Sequence, residues 1–190
     1  MILLRPIGVL AVLGIIFWSS AVPLYAQSTE DSLARLKSQV QSQNATLSEE
    51  SKSKVADSCQ TAQSSLKTIR QKEQRIHRER SEVYLDVQNE MDALQLRLKR
   101  QGLDASGAVI VLMNYRELTD QYERLSKIYN EALYDVSTID CRSNPEAFNA
   151  GVLLVRQKRA ELLANTNTIQ YFVNNDVKNQ FSAVKRQLKV

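Results

Sequence analysis

The sequence predicts an all-α protein: an elongated antiparallel three-helix bundle or coiled coil with one intramolecular disulfide, preceded by a cleavable signal peptide. Three observations carry that expectation. Glycine and proline, which punctuate turns and loops, number only five and three in 190 residues, too few for a fold of many short strands. Apolar residues recur every seven positions over long stretches, the period of helices packed along a seam. The only two cysteines, Cys59 and Cys141, have their midpoint at Arg100, two residues before Gly102. A helical hairpin turning at that glycine would bring them together at its open end.

Residues 1–26 begin with one cation, Arg5, run through an apolar stretch from Ile7 to Trp18, and close with Val22-Pro23-Leu24-Tyr25-Ala26 before polar Gln27. This is the charged, apolar and small-residue layout of a secretory signal peptide, with cleavage expected after Ala26. Leu24 is bulky for its place before the cleavage point, so a retained N-terminal membrane anchor is the alternative, although the apolar stretch is short of the ~20 residues a full span needs. Either way the remainder is expected outside the cytoplasm, secreted, periplasmic or at the cell surface. There a pair of thiols can oxidise and persist as a disulfide.

Residues 27–47 read as a polar tether containing a short amphipathic piece, with Leu33, Leu36 and Val40 on one face. Asn44-Ala45-Thr46 is a glycosylation sequon of use only in a eukaryotic host. The bundle is expected over 48–190. Its first helix spans about 48–101 and opens with Thr46 and Glu49 as a capping box. One apolar row is Val55, Ala62, Ile69, Ile76 and Val83; its companion is Cys59, Leu66, Glu73, Arg80 and Val87, where Glu73 and Arg80 interrupt the stripe. The pattern then steps by four through Val87, Met91, Leu94 and Leu98, which locally unwinds a supercoil. Gly102 ends the helix in a left-handed conformation, and Asp104 caps the next.

The second helix, about 104–140, has the cleanest repeat. Ala108, Tyr115, Tyr122, Tyr129 and Val136 form one row, and Val111, Leu118, Leu125, Ala132 and Ile139 the other. Asn144-Pro145 opens the third, about 145–189, as cap and first helical residue. Phe148, Val152, Val155, Leu162, Ile169 and Val173 give it an apolar face, which resumes after a shift at Val177, Phe181, Val184 and Leu188. Counted from the turn, Cys59 lies 42 steps before Gln101 and Cys141 lies 37 after Asp104, so the arms are ~63 and ~56 Å long at ~1.5 Å per residue. They match within about a turn, so an intramolecular Cys59–Cys141 bridge is expected. No Cys-x-x-Cys spacing suggests redox work.

Residues for catalysis are scarce. His77 is the single histidine, which excludes a di-iron bundle built on two Glu-x-x-His motifs and leaves zinc short of ligands. It lies in the charged run Lys72–Arg80 and is expected on a solvated face. A Ser-His-Asp nucleophile needs a strained elbow rich in glycine, and none is present; nor is a phosphate-binding glycine loop. No catalytic, cofactor or metal residue is therefore assigned. Glu79, Glu82, Asp86 and Glu90 make a carboxylate ladder able to meet a divalent cation or a basic partner, read here as a solvated face. Tyr115, Tyr122 and Tyr129 are read as seam residues whose hydroxyls reach the bundle edge, or else as a stacking surface for a glycan or peptide.

Charge is uneven. From Pro145 onward seven lysines and arginines stand against three acids, and the basic end at Lys185, Arg186 and Lys189 either complements the helix dipole or contacts anionic lipid or cell-wall polymer. Nucleic acid is not an expected partner, because no recognition motif accompanies the charge. The function expected is that of an exported structural or interaction protein of the cell envelope, a rigid scaffold or adaptor that binds a protein partner or itself. The alternative is a chaperone-like or polymer-binding protein gripping unfolded or anionic clients. An enzyme is not expected.

Overall fold

The computed structural model describes residues 47–187. The signal peptide at 1–26, residues 27–46 of the tether, and Leu188 and Lys189 lie outside the described residues. Helix α1 runs Glu49–Arg100, α2 Ser106–Thr138 and α3 Pro145–Phe172. A single π-helical turn, Val173–Val177, joins α3 to α4, Lys178–Gln187, as one continuous third arm. The short turns make the order up, down, up, with α2 in the middle. Among the described residues there is no strand, and no helix is long and apolar enough to cross a membrane. At 52 residues, α1 is ~78 Å long.

Local chemistry sets the ends. Ser48, rather than Thr46, caps α1: its hydroxyl accepts the Ser51 N–H at 3.3 Å, and Glu49 pairs with Lys52 instead of reaching back. At the other end Gly102 takes φ +68°, Gly102 N–H bonds to Lys99 O, and Leu103 N–H bonds to Leu98 O at 3.0 Å. Leu103 also packs on Leu98, completing a Schellman stop. The Asp104 carboxylate then accepts the Ser106 N–H at 2.8 Å, so α2 starts two residues later than expected. Asn144 makes no side-chain cap bond; the Asp140 carboxylate instead gathers the Arg142 and Ser143 N–H groups and the Ser143 hydroxyl. Pro145 occupies the first turn of α3 as predicted.

The buried line of α2 is Ala108, Leu112, Tyr115, Thr119, Tyr122, Ser126, Tyr129, Leu133 and Val136. The tyrosine row is therefore central; of the expected companion row Ala132 and Ile139 are buried and Val111, Leu118 and Leu125 pack partly buried against the core, while a further row one residue on, Leu112, Thr119, Ser126 and Leu133, is buried as well. The reason is that α2 faces two helices at once, so its most buried line runs between them. Small Thr119 and Ser126 fit between the rings, and the Thr119 hydroxyl bonds to Arg116 O and accepts from Gln88 Nε2. In α1 the row through Cys59, Leu66, Glu73, Arg80 and Val87 is the packing row, continued at Met91 and Leu98 after the four-residue step. Ile69 and Val83 of the other expected row are 42% and 58% exposed. Polar residues thus win the inner face of mid-α1, because the partners they meet are phenols.

The third arm keeps step with α2 by a change of winding. Phe148, Val155, Leu162 and Ile169 are buried at intervals of seven, and Val177 and Val184 likewise, but Ile169 to Val177 is a step of eight. The extra residue is taken up in the π turn, where one more residue fits in the loop of backbone bonds. The shift of apolar face read in the sequence falls at this turn.

The hairpin is locked at its open end by the Cys59–Cys141 disulfide, with a Cα–Cα distance of 5.5 Å across a separation of 82 residues. Nearby, Gly151 of α3 lies against α2 so closely that a Cβ there would collide with the Val136 side chain.

Two stability outcomes follow from these contacts. Closing a loop of 82 residues stabilises by about 4.5 kcal/mol on chain entropy, so the Cys59→Ser variant should lose about 2 to 5 kcal/mol in denaturant melts. Non-reducing peptide mapping of the native chain should show the intramolecular bridge; free thiols in protein from its own compartment would contradict it. Gly151→Ala gains about 1 kcal/mol of helix propensity but overpacks the α2–α3 contact at a cost of about 1 to 3 kcal/mol, so the melting temperature should fall. A rise would mean that α2 and α3 do not approach as described.

Candidate functional site

Two regions bear on function: the tyrosine layer in the middle of the rod, and a groove at the end where α1 turns into α2. The layer positions the groove. Tyr115 stacks on Phe172 of α3 with centroids 6.4 Å apart and meets Tyr84 of α1 edge-on at 6.5 Å, so its ring stands between the two flanking helices. Tyr122 takes Tyr84 edge-on at 5.0 Å and His77 stacked at 5.6 Å. Tyr129 is buried within the electrostatic reach of Glu73 of α1 and Arg159 of α3. Beside these rings Tyr84 of α1 bonds to Thr166 of α3, so the layer ties all three helices together. Exposed 0 to 1%, the three α2 tyrosines are packing residues rather than a stacking surface, and their hydroxyls do not reach the edge; that of Tyr115 is buried without a hydrogen-bond partner among the described residues. The reason is geometric: a residue facing two helices lies beneath both.

Burial disfavours the phenolate. It drives the Tyr122 hydroxyl up to about 12, outweighing the opposing pull of the Arg80 guanidinium, and raises Tyr115, Tyr129 and Tyr84 as well.

His77 also differs from expectation. Its Nε2 lies 2.8 Å from Glu123 Oε2 of α2, and the ring is on the packing face, not a solvated one. Ser81 donates to the other oxygen of the same carboxylate at 2.6 Å. The two side chains thus both address Glu123, and the Ser81 hydroxyl meets His77 only at its backbone carbonyl, 2.9 Å away, so no imidazole is placed to take its proton. The cluster is an interhelical clamp. Of the carboxylate ladder, Glu79 pairs with Arg75 while Glu82, Asp86 and Glu90 are exposed; among the described residues no group of three metal-binding side chains gathers.

The groove arises where the wedge ends. One heptad before Tyr115 the same row holds Ala108, which packs with Leu98, Ala105 and Val184. Without a ring there, the last three turns of α1 and the end of α4 bound an open groove of about 680 Å³. Its apolar lining is Leu94, Phe181 and Val184, and its charged lining is Arg97, Arg100 and Lys185, with Glu90 at the far end. Phe181 is 38% exposed. Lys185 and Arg186, assigned from the sequence to an interaction surface, are both exposed at this end, and Lys189 lies outside the described residues. Sequence periodicity alone did not single out the groove, although the alanine standing in a row of tyrosines was its signal.

No family model matches this chain. Neither a curated protein nor a solved structure matches it. The site must be read from its own chemistry.

Alkaline titration tests the tyrosine layer. A phenol whose folded pKa is raised above the ordinary 10.0 keeps its proton in the fold and loses it on unfolding, so stability is intact below pH 10 and falls as pH rises towards about 12. Phenolate absorbance should therefore develop in two stages, the later one coincident with loss of helical circular dichroism. Full ionisation of every tyrosine near pH 10 with the helices intact would show that the rings are not buried.

Proposed function

We propose that this chain is an exported structural and interaction protein of the cell envelope, a stiff scaffold or adaptor whose helical arms separate or present partners. The observation that supports this reading most directly is the stapled rod itself. A helix of 52 residues, ~78 Å long, is bridged to its neighbour near one end, wedged by buried tyrosines along its middle and open as a groove at the other. That construction opposes bending of the hairpin while leaving binding surface at an extremity. The apolar run of the signal-like N-terminus and the paired cysteines both favour export, since disulfides persist in oxidising compartments.

The second reading, a client-gripping chaperone, needs a hollow or flexible section, and the polar breaks at Glu73 and Arg80 are where the sequence would place one. In the structure those side chains meet Tyr129 and Tyr122, which occupy that stretch, so the scaffold reading is the better supported. A basic end remains in favour of anionic clients. The role proposed is one of binding rather than catalysis.

Chemical crosslinking of the tagged full chain in the cells that produce it, followed by fractionation, separates the two. One stoichiometric protein partner, or a defined homo-oligomer, recovered with the envelope fraction is the expected result. A broad smear of heterogeneous clients would transfer support to the chaperone reading, and a reduced, cytosolic monomer would overturn both.

A further inference from the structure

We propose that the groove between the end of α1 and α4 is the docking site for a short acidic amphipathic helix of a protein partner. This rests on the scaffold reading and names the place and chemistry of its contact. The groove runs beside α1 from Glu90 to Gln101, eleven helical steps or ~16 Å, which is the length of about three turns. It lies between two helices that run parallel, floored where Leu98, Ala108 and Val184 pack together, so a further helix laid there completes a local four-helix arrangement, with its apolar side on Leu94, Phe181 and Val184.

Charge selects the occupant. Arg97 and Arg100 stand on the α1 side of the apolar strip and Lys185 on the α4 side, and none of the three forms an ion pair or side-chain hydrogen bond among the described residues. Both α1 and α4 end here, and each contributes about half an elementary negative charge from its dipole. Against these stand five cations in the two last turns, Arg97, Lys99 and Arg100 with Lys185 and Arg186, so the end stays strongly positive after the dipoles are offset. Cations on both flanks of an apolar strip match a helix with acids on both flanks of an apolar stripe. An acyl chain with a single anionic head would instead want one charged mouth and an enclosed tunnel, whereas this groove is open along its length. Glu90 at the inner end adds direction: the partner's acids lie over Arg97 and Arg100, and its neutral or basic end over Glu90.

The test uses the full chain in the cells that make it, with a photoreactive residue introduced as Phe181→p-benzoylphenylalanine and, separately, as Ile128→p-benzoylphenylalanine on the exposed side of α2. Irradiation at position 181 should give an adduct whose mapped peptide belongs to another protein and carries acids flanking an apolar i, i+3, i+7 stripe. Adding Arg97→Glu and Lys185→Glu, both at exposed positions, should cut that yield about tenfold with circular dichroism unchanged and the melting temperature lowered only slightly, because each reversal puts an acid in a last helical turn. An adduct to lipid, to a second copy of this chain or to a neutral or basic segment, an undiminished yield in the charge-reversed chain, or no adduct at 181 would each overturn the groove assignment. Capture of a partner from position 128 but not 181 would do so while leaving the scaffold reading standing; no partner from either position would remove both.

Discussion

Three buried phenol rings from one helix pack the middle of the bundle, and most of what this molecule is follows from that layer. Tyr115, Tyr122 and Tyr129 project from α2 at successive heptads and are buried in the core; Tyr115 meets both Tyr84 of α1 and Phe172 of the third arm, and Tyr122 packs on Tyr84 and His77 of α1. The outer helices lean mainly on α2 over the middle of the rod, and they also touch each other there, where Tyr84 of α1 bonds to Thr166 of α3. Because the buried rings are phenols, the α1 residues that face them can be polar: His77 stacks, Arg80 sits beside the Tyr122 hydroxyl, and Glu73 lies near Tyr129. A tyrosine has a broad apolar body and a polar tip, so it satisfies a seam that is apolar on one side and charged on the other.

The ends of the rod are governed by different physics. At the cysteine end the helices are drawn close: the disulfide joins α1 to the turn after α2, Lys52 pairs with Glu146 across α1 and α3 at 3.1 Å, and Gly151 lets α3 press on α2. At the turn end the wedge row finishes in Ala108, and the outer helices bound a groove. Narrow at one extremity and open at the other, the bundle has a polarity that the up-down-up order alone does not confer.

Much of this was legible in the sequence, for reasons that can be named. Gly102 had to be a turn because only a glycine takes that φ cheaply, and the equal arms on either side then fixed the cysteine pairing. The change of face after Val173 announced the π turn. The packing rows were harder to read: Glu73 and Arg80 look like interruptions when apolarity is the only criterion, yet they lie on the packing face, and Ser126 and Thr119 are interior because they are small. Choosing between rows one residue apart requires knowing that α2 has two neighbours. The groove depends on an absence of bulk, which shows only when Ala108 is compared with the tyrosines in its own row.

The bridge also divides the molecule mechanically. Residues 59 to 141 form a covalent loop, whereas the third arm, beginning at Pro145, is held without a covalent bridge, by packing, the Lys52–Glu146 pair and the hydrogen bonds of Asn165 to α2. If such a rod is pulled from its two ends, the third arm peels away first and the 82 residue steps from Cys59 to Cys141, roughly 270 to 300 Å of chain at full extension, are withheld from the load. A rod built this way yields by a limited length and then stops.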